Sequence, residues 1–237
     1  MKLTHLKIAS LAACLALSAA AAQAAPVVLT FENIAPYPNN NNVLVQGYYN
    51  GGTSSAGTSG TNYGVNFGSN ALVLCLNTTG VSCSNTSHGG LGDPASARSG
   101  LFFMAGSQTY MNVAAGFDTG FSFNYSAVNQ GGTINVFDGL DGTGNILASL
   151  TLATTPSTCS GYSASFCPFV AIGVGFNGIA KSVGFGGVAN QVVFDDITIG
   201  SVTAGDTGNS IPEPASLALV GLGLAGAGFA RRRNKAA

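Results

Sequence analysis

Gly120-Phe121-Ser122-Phe123-Asn124-Tyr125 is the stretch whose reading decides the fold class. Its aromatic rings recur at every second position, so an extended chain puts Phe121, Phe123 and Tyr125 on one face and Ser122 and Asn124 on the other. The rings are therefore assigned to a core. Working outward, the same texture recurs: short β-branched or aromatic runs separated by Gly, Asn, Ser and Thr, with no apolar pattern at helical spacing longer than about one turn. Strands are predicted at 27–34, 64–67, 71–76, 101–105, 110–114, 120–125, 133–137, 146–152, 169–174, 180–185 and 191–199. Eleven strands at this spacing predict an all-β body, a two-sheet β-sandwich of jelly-roll type.

The body is assigned to residues 25–200, with 201–210, which carries no large apolar residue after Val202, as a linker. Residues 39–42 and 51–60 read as polar surface loops. The segment Asp138-Gly139-Leu140-Asp141-Gly142-Thr143-Gly144 lacks the closing Glu and the odd-position acids of an EF-hand, so it reads as a hairpin turn built on glycines that accept positive φ.

Charge narrows the partner classes. Six of the eight basic residues lie in the two termini, which leaves eight carboxylates against Arg98 and Lys181 in 25–210, a net charge of −6. Such a surface offers no footprint for the phosphate backbone, which excludes nucleic acid as a partner. After Cys14 the cysteines fall into two local pairs, Cys75/Cys83 and Cys159/Cys167, each eight residues apart. Equal short spacings favour two local disulfides in an oxidising compartment, each contributing about 2.5 kcal/mol. Zinc sites usually draw their cysteines two to four residues apart, unlike these.

The termini carry the firmest signals. Lys2 and Lys7 precede and open an apolar run over 8–22, and Ala22-Gln23-Ala24 supplies small residues for cleavage, so 1–24 reads as a secretory signal peptide. At the other end stand Ile211-Pro212-Glu213-Pro214, an uncharged apolar segment over 215–230, then Arg231-Arg232-Arg233 and Lys235. The prolines fix φ and hold Glu213 on an extended backbone. Sixteen apolar residues make a helix of roughly 24 Å, at the short edge of a membrane span, and the basic cluster keeps its end cytoplasmic. A single C-terminal transmembrane helix with the body outside follows.

This tripartite tail resembles the PEP-CTERM sorting signal of Gram-negative bacteria. The resemblance rests on Pro212, Glu213 and Pro214, the Gly/Leu/Ala-rich helix, and Arg231, Arg232 and Arg233. It implies a temporary inner-membrane anchor, recognised by an exosortase that cuts near the Pro-Glu-Pro motif after export by the secretion machinery. The destination it implies is the cell surface or the exopolysaccharide matrix.

Two strands place carboxylates among apolar residues: Glu32 in Thr30-Phe31-Glu32-Asn33, and Asp195-Asp196 between Phe194 and Ile197. Buried carboxylates need a cation, hydrogen bonds or solvent. In outline the arrangement resembles jelly-roll domains of the carbohydrate-binding-module and MAM type. That resemblance implies a structural calcium ion held by Glu32 and Asp195, with Asp196 as a third ligand; strand alternation turning these acids to solvent is the alternative.

For catalysis the sequence offers little. His88 is the only histidine of the body, and no G-x-S-x-G elbow occurs. The expectation is a non-catalytic surface or matrix protein that contacts exopolysaccharide, with a secreted enzyme acting on matrix polysaccharide as the alternative. The chain has no tryptophan, so sugar stacking falls to tyrosines such as Tyr48 and Tyr49.

Overall fold

The computed structural model describes residues 25–35, 43–75, 99–127, 129–157 and 169–208. The expected signal peptide, loop 39–42, His88, Cys83, Cys159, Cys167 and residues 209–237 lie outside them. Residues Ala25–Thr207 form one compact unit. Among the described residues are twelve strands: β1 (Val27–Leu29), β2 (Val43–Leu44), β3 (Val65–Phe67), β4 (Leu72–Cys75), β5 (Ser99–Phe102), β6 (Gln108–Phe117), β7 (Gly120–Ser126), β8 (Gly132–Phe137), β9 (Ile146–Leu152), β10 (Val170–Gly175), β11 (Ala180–Gly187) and β12 (Val193–Ile199). No helix among these residues is long and apolar enough to cross a membrane.

The strands form two antiparallel sheets. One runs β10-β7-β12-β5-β4-β2, with β1 also paired to β12; the other runs β3-β6-β11-β8-β9. Every predicted strand overlaps an observed one, and β2, two residues long, is the strand the sequence pattern misses. The first and last strands pair, with Val27 opposite Ile199 and Leu29 opposite Ile197. The sheets meet face to face through aromatic rings. Phe185 of β11 packs on Phe194 of β12 at 4.9 Å between centroids and on Phe121 and Phe123 of β7 at 6.0 and 6.3 Å. Edge-to-face contacts of this kind add about 0.5–1.5 kcal/mol per pair beyond area burial.

Three differences from the sequence reading have local causes. The strand predicted over 27–34 ends at Leu29, because Phe31 and Asn33 take φ of +58° and +63°. Residues 201–207, read as linker, fold back on the first sheet. Ser122 Oγ donates to the Ser201 carbonyl at 3.0 Å, and the Gly205 N–H donates to Thr198 Oγ1 at 2.9 Å. Gly173 permits that approach, since a Cβ there would stand 2.1 Å from the Val202 carbonyl oxygen. Consequently all of β7 is buried on both faces, Ser122 and Asn124 included.

The third difference is in β12. Strict alternation would put Phe194, Asp196 and Thr198 on one face. Between Asp195 and Thr198 the register to β7 shifts by one residue, and Asp196 takes a φ of +46°. This β-bulge keeps Phe194, Ile197 and Ile199 all in the core.

The hairpin reading of 138–144 holds. A short 3-10 turn (Leu140–Gly142) joins β8 to β9, and Gly142 and Gly144 have φ of +72° and +80°. Hydrogen bonds from the Asn145 side chain and backbone N–H lower the pKa of Asp138, with Lys181 a smaller contributor. The turn lies back on the second sheet, where Asp141 and Asn112 exchange two hydrogen bonds of 2.6 and 2.8 Å.

Candidate functional site

The predicted acids gather around β12, but they do not form one set. After β1 ends, the left-handed turn at Phe31 swings Glu32 toward β5, where its Oε1 accepts the Ser99 N–H at 3.0 Å. Leu101 of β5 in turn pairs with Phe194 of β12, one residue before Asp195. Asp195 is fully buried, and its Oδ1 accepts the Asp196 N–H at 2.8 Å. Asp196, also buried, accepts from Asn124 Nδ2 of β7 at 3.2 Å. Glu32 and Asp196 therefore serve strands on opposite sides of β12. Among the described residues no three His, Cys, Asp or Glu side chains are grouped to hold a metal ion, so the three-acid arrangement expected from the sequence is not formed.

Beside Glu32 lies a tyrosine pair. The rings of Tyr48 and Tyr49 meet edge to face at 4.9 Å. The Tyr48 hydroxyl donates to the Glu32 carbonyl at 3.2 Å, while the Tyr49 hydroxyl accepts the buried Phe31 N–H at 2.8 Å. Burial, reinforced by Tyr48 and Asp195, pushes the Tyr49 hydroxyl well above its usual pKa; burial, then Glu32, raises Tyr48. Both hydroxyls stay protonated at neutral pH. The same tyrosines correct the expectation of sugar-stacking platforms, because they are only 6 % and 5 % exposed. Their task is to anchor loop 47–64 under the turn at Phe31. Loop 51–60, read as plain surface, helps them through Ser54 and Thr58, whose hydroxyls both donate to the Ile34 carbonyl.

Replacing Tyr49 with Phe is expected to leave the Phe31 N–H buried without its acceptor, at a cost of about 1–3 kcal/mol. Chemical denaturation of the two proteins measures it. An unchanged midpoint would remove the structural role assigned to this hydroxyl.

Sequence reasoning missed Tyr49 as a partner of the backbone and Asn124 as the partner of Asp196. The first follows from a positive φ that no local pattern announces. The second was signalled by two consecutive acids inside an apolar strand.

The described sandwich is followed by a tail that comparison identifies. The PEP-CTERM protein-sorting motif matches residues 210–233, which contain Pro212, Glu213, Pro214 and the three arginines. The chain is an all-β, two-sheet protein carrying a C-terminal PEP-CTERM sorting motif. That motif marks it as an exported, membrane-transiting protein processed by an exosortase. No curated protein matches the chain. Among solved structures, a glycoside hydrolase family 43 arabinoxylan arabinofuranohydrolase from Bacillus subtilis in complex with cellotetraose aligns at 19 % identity and a TM-score of 0.30. The alignment covers 44 % of this chain, which spans 21 % of that protein's length.

Proposed function

We propose that the protein is released by exosortase cleavage to the cell surface or extracellular matrix, where its sandwich contacts exopolysaccharide without catalysing a reaction. The observation that carries the proposal is the sorting motif at 210–233. For the acids that the sequence singles out, the non-catalytic part draws support from where they lie. Asp195 and Asp196 are 0 % and 1 % exposed, beyond the reach of a substrate, and Glu32 is engaged on Ser99. Paired-carboxylate glycoside cleavage needs two accessible acids about 5–9.5 Å apart flanking a substrate. A glycan array read beside a polysaccharide-degradation assay tests this reading. Binding without turnover is expected; turnover abolished by replacing one carboxylate would establish the enzyme alternative instead.

Two stabilising devices belong to the same proposal. Local disulfides Cys75/Cys83 and Cys159/Cys167 suit the oxidising exterior. Glu32, bound to the Ser99 N–H of β5, and Asp195 of the neighbouring β12 would hold calcium without Asp196. The ion takes oxygen ligands and would offset the two carboxylate charges. Thermal unfolding with calcium or chelator, each before and after reduction, reads both devices. Each should raise the midpoint independently, calcium by about 2.7 kcal/mol at 100 times its dissociation constant. A midpoint indifferent to calcium removes the ion, and one indifferent to reduction removes the bridges.

A further inference from the structure

The outer face of the second sheet carries a surface that the terminal strands and the tail do not explain. Core residues set the facing: Met111 of β6 pairs with Val183 of β11, which pairs with Val136 of β8, and all three are buried between the sheets. Their neighbours Tyr110, Gly184 and Asn135 therefore point away from the core. Gly184 lies opposite Tyr110 on one side and Asn135 on the other. A Cβ at Gly184 would stand 3.1 Å from a Tyr110 ring carbon and 3.4 Å from one of Phe137. The missing side chain lets two half-buried rings from β6 and β8 converge over the central strand.

Around the rings stand neutral polar groups. Gln108 Nε2 donates to the Tyr110 hydroxyl. Asn135 Oδ1 accepts from Ser149 Oγ of β9 at 2.7 Å, which leaves the amide's two donors for a ligand. Asn66 of β3, opposite Asn112, extends the polar rim on the far side. Gly142 of the β8–β9 turn packs against one edge of the Tyr110 ring, where a Cβ would stand 2.4 Å from a ring carbon, so the two half-buried rings offer part of their surface. That surface, with amides at its edges, matches a sugar, whose C–H faces are apolar and whose hydroxyls both donate and accept. The three strands set a width of about 10 Å. Charge selects further. Asp138 and Asp141 border this face on the β8–β9 turn, Asp138 is held ionised, and residues 25–210 carry net negative charge. An anionic polysaccharide would be repelled.

We propose that Tyr110 and Phe137, converging over Gly184, form a binding platform for a neutral polysaccharide chain, with Gln108 and Asn135 as its hydrogen-bonding edges. The assignment rests on the polysaccharide-contacting reading above and replaces Tyr48 and Tyr49 as its aromatic groups.

The test uses the full chain purified in detergent, in affinity electrophoresis through gels containing a neutral β-glucan, xylan or galactomannan, with polygalacturonate as the anionic comparison. Retardation by at least one neutral polymer is expected. It should weaken about tenfold or more in Tyr110→Ala and in Phe137→Ala, while Tyr63→Ala, an exposed tyrosine elsewhere, binds as the unaltered chain does. Thermal unfolding of each variant checks that the fold is kept. Neutral-polymer binding that survives both ring deletions overturns the platform and leaves the polysaccharide-contacting reading standing. Retardation by polygalacturonate alone overturns the choice of ligand class. No retardation by any polymer overturns both.

Discussion

With Pro212-Glu213-Pro214 replaced by three alanines, the protein is expected to stay in the membrane fraction and its released form to disappear. The motif lies inside the matched sorting region, immediately ahead of the uncharged segment 215–230. Two physical changes act together. Alanine is the best helix former and proline the worst, so the substitution removes the helix-breaking residues ahead of the uncharged segment. It also removes Glu213, the charged side chain of the motif. The apolar segment and the arginines remain, so anchoring is kept while release is lost. Intact mass of the unaltered protein in medium and membrane fractions completes the test. Its released form should end near residue 212 and lack Arg231, Arg232 and Arg233. A released species still carrying those arginines would replace transient sorting with shedding of an uncleaved chain.

The body was readable to unequal depth. Alternation located the strands because the core face is dominated by aromatic and β-branched side chains, and Phe121, Phe123 and Tyr125 do line it. Alternation alone could not show that Ser122 and Asn124 are buried as well, because their cover comes from residues 201–206 and Asp196, more than seventy positions away. Long-range covering of this sort leaves no local period. The first and last strands were legible as strands, yet the three-acid site expected from them is not formed. Glu32 departs at a left-handed Phe31, and a bulky aromatic at positive φ is held there by packing and by Tyr49, not by its own preference. The glycine beneath Tyr110 and Phe137 was equally silent, since a strand glycine reads as a weakness until its neighbours are known.

Replacing Asp196 with Val is expected to cost far more than deleting it. In Phe194-Asp195-Asp196-Ile197-Thr198-Ile199 the apolar residues change phase by one position, and the bulge absorbs the extra residue. Without Asp196, Phe194, Ile197 and Ile199 fall at every second position of a regular strand, so all three keep the core face on which they are now 0 %, 0 % and 7 % exposed. The register to β7 closes as well, because Asp195 and Thr198, opposite Asn124 and Ser122, then have one residue between them as their partners do. The deletion therefore costs mainly the Asn124 hydrogen bond, about 1–3 kcal/mol, and should keep a cooperative transition. Asp196→Val keeps the bulge and loses the same bond, but it also puts a β-branched residue at a φ of +46°, about 1–3 kcal/mol of further strain. Together these take a large share of an ordinary domain's stability, about 5–15 kcal/mol. Asp196→Gly separates the backbone from the carboxylate. Glycine takes the positive φ freely, so this variant keeps the bulge and loses only the Asn124 hydrogen bond, at about 1–2 kcal/mol. Denaturant unfolding of the three variants reads the difference. A deletion variant without a cooperative transition would show that the bulge itself, and not the alternation it corrects, holds β12 in place.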